Sequence, residues 1–208
     1  MKTSAQNSFK AFSAGLALSC LVLAHRANGT VIYWDPNGTT SIGGNAIWDT
    51  TTSQWSASST QVASGSLIPW NAADAAGFCA GPTSGTSQGT FTITVNTAIT
   101  CAGIFNGNLS PGPCNLTISG SGSLNLASGT DAFSNGGTGP PTGNTTITIP
   151  ITGTVNGVLN SQGSGQLFLH GANTYIGGTL LGGSGIVGFN NSKSFGVGPI
   201  TLENGATS

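Results

Sequence analysis

Charge is what this chain of 208 residues has least of: four Lys+Arg and five Asp+Glu, 4% of the total against a usual level of about 25%. Past residue 26 the only cation is Lys193, so a nucleic-acid partner, which needs several cations to neutralise phosphates, is excluded. The formal net charge of −1 excludes disorder driven by charge repulsion. Met occurs once, and the straight-chain helix formers Lys, Arg and Glu are nearly missing, which argues against a helix-rich fold. Long hydrophobic runs are missing too; the longest, Ala11 to Ala24, falls short of the roughly 20 residues of a membrane span. No Cys-x-x-Cys or Cys/His cluster has metal-ligand spacing, and no cofactor is implied. What is plentiful is small and polar: 34 Gly, 25 Ser, 28 Thr and 18 Asn, about half the chain. Hydrophobic residues make up 37%, below the globular average of about 45–50% but enough for a thin core. An uncharged protein of strands and turns is expected.

Residues 1–27 read as a secretory signal. Lys2 and Lys10 precede the apolar run, and Val22 and Ala24 offer small residues for cleavage, with a second site after Ala27. The mature protein is therefore expected to be secreted or displayed at the cell surface. Cys20 sits behind Ala17-Leu18-Ser19, a poor lipidation context. Removal of the signal leaves Cys79, Cys101 and Cys114, an odd number in an environment that permits disulfides. Cys101 and Cys114 are close enough in sequence to bridge a short loop, which leaves Cys79 free or paired elsewhere.

Beyond the signal, short apolar alternations are separated by turn clusters. In Thr90-Phe91-Thr92-Ile93-Thr94-Val95 the apolar side chains fall on one face and the threonines on the other. The pattern recurs at Leu116/Ile118, Leu124/Leu126, Ile147/Ile149/Ile151, Leu167/Leu169 and Ile200/Leu202. Gly, Asn, Ser and Pro fill the intervals, as in Asn135-Gly136-Gly137. Such spacing suits a β-sandwich or a β-solenoid. Outward threonines and turn asparagines favour the solenoid, where like residues stack coil on coil. The solenoid is expected over 86–208.

Residues 28–85 differ: Trp34, Trp48, Trp55 and Trp70 all fall there, with Asp35, Asp49 and Asp74. Their rings suit either a cap over the open end of the array, whose terminal coil lacks a neighbour, or an exposed platform on which sugars stack.

Three motif matches carry no chemistry. Gly183-Ser184-Gly185-Ile186-Val187-Gly188 has the G-x-G-x-x-G spacing with Glu203 beyond it, but chance supplies about one such match in a chain this rich in glycine, and no helix follows to hold a pyrophosphate. Gly85-Thr86-Ser87-Gln88-Gly89 has the G-x-S-x-G form, with Asp131 and His170 in hydrolase order; a nucleophile elbow needs a helix after it, and a strand follows here. A polysaccharide-cleaving solenoid needs clustered carboxylates, whereas Asp35, Asp49, Asp74, Asp131 and Glu203 are scattered and Lys193 and Arg26 are the only basic candidates. A non-enzymatic protein is expected.

Gly165-Gln166-Leu167-Phe168-Leu169-His170-Gly171-Ala172-Asn173-Thr174-Tyr175-Ile176-Gly177-Gly178-Thr179 resembles the autotransporter-associated β-strand repeat, a Leu-x-Leu strand followed by Gly-x-Asn-Thr-Tyr-x-Gly-Gly-Thr. Ser184 to Thr207 is similar to the rest of that repeat, with Phe195 where Leu is usual. Asn144 to Gln166 resembles its lead-in, and Tyr33 to Trp55 resembles the start of such exported passengers. The resemblance implies a right-handed parallel β-helix with an N-terminal cap, an adhesive or structural role toward a surface receptor or glycan, and export through a β-barrel translocator that this chain does not encode. One clear repeat is present and the sequence stops inside what resembles the next strand, so either a partial form of a longer exoprotein or export by a different route is expected. Within the motif, Gly177 and Gly178 are expected at positive φ, Asn173 bonded to backbone in its turn, Tyr175 covering the coil's edge, and Leu180 facing inward.

Overall fold

The computed structural model describes residues 29–38, 43–57, 67–78, 89–106, 114–127, 129–135, 143–153, 157–163, 165–182 and 185–202. The signal segment, Cys20, Arg26, Cys79, Ser87, the start of the G-x-G-x-x-G match and Glu203 lie outside these residues. Seventeen strands and no helix occur among them.

The strands are β1 (Val31–Trp34), β2 (Ala46–Ile47), β3 (Trp55–Ser56), β4 (Ala75–Phe78), β5 (Gly89–Thr94), β6 (Ala98–Cys101), β7 (Gly103–Asn106), β8 (Cys114–Ser119), β9 (Ser123–Leu126), β10 (Gly129–Asn135), β11 (Asn144–Ile147), β12 (Ile151–Gly153), β13 (Gly157–Gly163), β14 (Gln166–Leu169), β15 (Thr179–Leu181), β16 (Ile186–Phe189) and β17 (Ile200–Leu202). Hydrogen-bonded neighbours are never consecutive in sequence. One sheet runs β17-β15-β13-β10-β7-β4-β1-β3, a second β16-β14-β11-β8-β5-β2, and a third β12-β9-β6. Each chain segment thus visits the three sheets in turn and comes back one strand further along, which is a β-solenoid. β5-β6-β7, β8-β9-β10 and β11-β12-β13 make three complete three-sided turns. Pairing is parallel throughout, apart from β3 against β1 and a bridge between Trp55 and Ile68. The sandwich alternative is overturned, because it would need antiparallel neighbours.

Register explains the core. Phe91 pairs with Leu116, Leu116 with Thr145, Thr145 with Leu167 and Leu167 with Val187. Ile93, Ile118, Ile147 and Leu169 form a second inward column, and Ile99, Leu124 and Ile151 a third on the small sheet. Phe91, Ile93, Leu116, Ile118, Leu124, Ile147, Ile151, Leu167 and Leu169 are all buried, each such side chain contributing roughly 1.5–3 kcal/mol. Like stacks on like because a parallel ladder superposes equivalent positions of successive coils. Ile147 and Ile151 belong to different strands, β11 and β12, and Ile149 is buried at the corner between them. Cys101 is buried at the end of β6. At the far end Phe189, Ile200 and Leu202 continue the inward register of β14 and β15 yet are 61%, 52% and 70% exposed, because no described coil covers them.

Parallel pairing begins with β1 on β4 and β2 on β5. The tryptophan-bearing segment is therefore woven into the same sheets as the coils above it.

Candidate functional site

The four tryptophans gather at the N-terminal end of the stack. Trp34 closes β1, Trp55 opens β3, and Trp48 and Trp70 follow in loops. Exposures of 0%, 1%, 0% and 5% for Trp34, Trp48, Trp55 and Trp70 leave no ring face open to a sugar. The rings face one another instead, with centroids 5.0 Å apart for Trp34–Trp55, 4.8 Å for Trp48–Trp70 and 4.6 Å for Trp55–Trp70. Such edge and tilted contacts add about 0.5–1.5 kcal/mol each to the burial. Trp34 Nε1 donates to the Gly44 carbonyl and Trp70 Nε1 to that of Thr100, both at 2.9 Å; the second bond ties the cluster to β6 in the coil above.

Among the described residues the carboxylates do not converge. Asp74 is buried and its Oδ1 accepts from the Thr30 amide at 3.1 Å. Asp35 is buried and accepts from the Gly38 amide at 3.0 Å. Asp49 closes a turn: burial tends to raise its pKa, but the amides and hydroxyls of Thr51 and Thr52 all donate to it and hold it below the ordinary value. Asp131 lies on β10, in a different sheet from β14, which His170 directly follows. No group of three or more His, Cys, Asp or Glu among the described residues could hold a metal ion.

The repeat motif occupies β14, β15 and the corner between them, where a third-sheet strand is replaced by residues 171–178. Leu167 and Leu169 point inward from β14. Asn173 is 1% exposed and reaches both neighbouring coils rather than its own turn: Oδ1 accepts from the Ile151 amide at 2.8 Å, and Nδ2 donates to the Ser194 carbonyl at 2.5 Å. The Thr174 amide adds a bond to the Ile151 carbonyl, and the Thr174 side chain is exposed. From the coil above, Asn191 Nδ2 donates to the carbonyls of His170 and Gly171, and the Ser194 hydroxyl to that of Leu169 at 2.7 Å.

Three further expectations for this corner are corrected. Tyr175 does not cover an edge; it is fully buried, with its hydroxyl 2.6 Å from Thr179 Oγ1. Thr179 Oγ1 in turn donates to the Phe195 carbonyl at 3.0 Å, so the phenol is the donor of the first bond. Burial pushes the Tyr175 pKa up to about 12. Thr179, not Leu180, supplies the buried inward side chain of β15, because the Tyr175 hydroxyl requires a partner inside. Of the two glycines only Gly178 has positive φ, 106°; a Cβ there would stand 2.8 Å from the Pro199 carbonyl oxygen of the next coil.

The outer face of the six-stranded sheet carries polar columns. Thr92, Thr117 and Thr146 are in register through β5, β8 and β11, followed by Phe168 on β14 and Gly188 on β16. Beside them run Thr90 with Asn115, then Asn144 with Gln166; the Asn115 side chain accepts from the Asn144 amide at 3.1 Å. None of these is Lys, Arg, Asp or Glu. On the small sheet Asn125 bonds Thr100 at 3.1 Å and Thr152 at 3.3 Å, a side-chain ladder across three coils. Sequence reasoning missed the Phe168 face and the Asn191 and Ser194 bonds, since each depends on which strands are neighbours.

No family model and no solved structure matches the chain. Among curated proteins it is similar to the adhesin BmaC autotransporter of Brucella suis biovar 1 (strain 1330), 36% identical over 203 residues and covering 94% of this chain. The chain spans 5% of that relative's length. Similarity to an autotransporter adhesin over nearly the whole chain and the stacked parallel coils are together consistent with an autotransporter passenger-type protein.

Proposed function

We propose that the chain is an exported, non-enzymatic segment of a surface adhesin, whose work is to hold a neutral, tightly bonded β-solenoid away from the cell and present its outer faces to a receptor. The observation that carries this reading is the continuous parallel stack: inward side chains are spent on the core, and the outward columns of the six-stranded sheet are uncharged and mostly threonine and asparagine. Among the described residues, chemistry-bearing side chains are dispersed and do not assemble acid, base and oxyanion donors as catalysis requires. Similarity to an adhesin supports the same conclusion. In this reading residues 1–27 direct export and are removed, residues 28–85 cap the stack through the tryptophan cluster, and a β-barrel translocator encoded elsewhere carries the coils across the outer membrane. Burial of the four indoles supports the cap over a carbohydrate platform built on them.

Surface display tests this. Fused to a β-barrel translocator in a non-adherent bacterium, the chain is expected to increase attachment to host cells; attachment equal to that of the translocator alone contradicts the adhesive role. Hydrolysis of glycosides, esters or peptides that vanishes on Ser87→Ala or His170→Ala contradicts the non-enzymatic one.

A further inference from the structure

We infer that the outer face of the six-stranded sheet, centred on Phe168, binds a neutral polysaccharide strand lying along the solenoid axis; this rests on the adhesive reading and names its ligand class. Phe168 is half-buried and paired with Gly188, where a Cβ would stand only 2.5 Å from the ring's Cδ1 and 2.8 Å from Cε1. The missing side chain lets the phenyl ring lean over the neighbouring strand. His170 lies beside it, the ring centroids 6.2 Å apart and the planes tilted by 55°. Gln166 stands two residues away on the same face of β14, half-buried. An aromatic face flanked by an amide and an imidazole offers a pyranose both a stacking surface and hydrogen-bond donors and acceptors for its hydroxyls.

The face continues in register through Thr146, Thr117 and Thr92. Parallel strands lie about 4.8 Å apart, close to the length of one sugar unit in an extended polymer. A glycan seated on Phe168 and running along the stack therefore meets an equivalent hydroxyl at each coil. The lack of any charged residue in these columns matches an uncharged polymer and gives no counter-charge to a uronic-acid or sulfated one.

A ring over a glycine also serves simply to cover backbone, and the molecule contains its own control. Tyr33 leans over Gly77 on the eight-stranded sheet, where a Cβ would stand 2.7 Å from Tyr33 Cδ1. Beyond Gly77 the register continues through Phe105 to Ser134 and Gln162, so a second aromatic residue stands next in register where Phe168 has the run of threonines.

The test is calorimetric titration of the purified chain with cellohexaose and chitohexaose, and with heparin and alginate oligosaccharides as anionic probes. A neutral hexamer is expected to bind and the anionic probes not. Phe168→Ala should weaken binding about tenfold, as loss of a stacking contact implies. Thr117→Val, which keeps the side-chain shape, should weaken it measurably, and Tyr33→Ala should leave it unchanged. Absence of binding to both neutral hexamers overturns the inference, as does unchanged affinity in both Phe168→Ala and Thr117→Val, or tighter binding of the anionic probes. Attachment of displaying cells, scored in parallel, separates the two readings: cells that attach while neutral glycans fail to bind sink this inference and leave the adhesive role standing, whereas failure of both sinks both.

Discussion

Asn173→Ala should be among the most damaging single changes outside the hydrophobic core. The native amide satisfies the Ile151 N–H in the coil below and the Ser194 carbonyl in the coil above, at 2.8 and 2.5 Å, from a side chain that is 1% exposed. Truncation leaves both backbone groups buried without that partner, and an orphaned buried group costs about 1–3 kcal/mol. A loss of about 2–5 kcal/mol follows, a large part of the 5–15 kcal/mol that holds a typical domain together. The neighbouring Thr174→Ala, at an exposed side chain, should stay within about 0.5 kcal/mol. Asn173→Asp separates the two bonds: its carboxylate still accepts from Ile151 but repels the Ser194 carbonyl, so it should be destabilised at pH 7 and partly rescued in acid, where the protonated group donates. Urea unfolding gives the midpoints, and hydrogen exchange at the Ile151 amide reports the local loss even if only the last coils open. Equal midpoints for Asn173→Ala and Thr174→Ala, with Ile151 protection unchanged, would refute the cross-coil role.

The two glycines of the corner should part company. Gly178→Ala is expected to cost about 1–2 kcal/mol from its positive φ alone, plus the contact with the Pro199 carbonyl, and Gly177→Ala and Lys193→Ala each less than about 0.5 kcal/mol; thermal midpoints of the three decide it. Burial holds the Tyr175 phenol up at about 12 in the folded protein, whereas the unfolded chain returns it to the ordinary phenol value of about 10. The folded state therefore holds the proton longer, and stability should fall between pH 10 and 12 by roughly 1.4 kcal/mol per pH unit. Tyr175→Phe should remove that slope in urea titrations while losing about 1 kcal/mol at neutral pH. Trp55→Ala should cost about 3–5 kcal/mol by opening the centre of the indole cluster, read as a lower denaturation midpoint; a wild-type midpoint would mean that the cluster does not close the stack.

Strands in which apolar and hydroxyl residues alternate, such as those around Phe91/Ile93 and Leu116/Ile118, were legible because one face is core and the other is water. β4 was not: in Ala-Ala-Gly-Phe all four residues are buried, and period two disappears where Tyr33 leans over the glycine on the outer side. The unequal lengths of the coils hid which residues face one another, so nothing in the sequence put Asn173 between Ile151 and Ser194, or Phe168 beside Gly188. Tyr175 misled for a simpler reason. A phenol reads as a surface group unless its partner is known, and Thr179 with the Phe195 carbonyl behind it becomes visible only when two coils are stacked. The tryptophans announced a special N-terminal segment by their grouping, but burial, which separates a plug from a platform, is a property of packing.

Pulsed and continuous-wave electron paramagnetic resonance on spin-label pairs measures the stack itself. Labels at Thr92 and Thr146 stand two coils apart, and labels at the exposed Thr90 and Ile186 four coils apart, by the pairing of β5, β8, β11, β14 and β16. At about 4.8 Å per parallel strand, the backbone separations should be about 10 Å and about 19 Å, the second twice the first. Separations that do not double, or a Thr90–Ile186 pair closer than the Thr92–Thr146 pair, would contradict the in-register parallel solenoid on which the adhesive reading and the glycan face both stand.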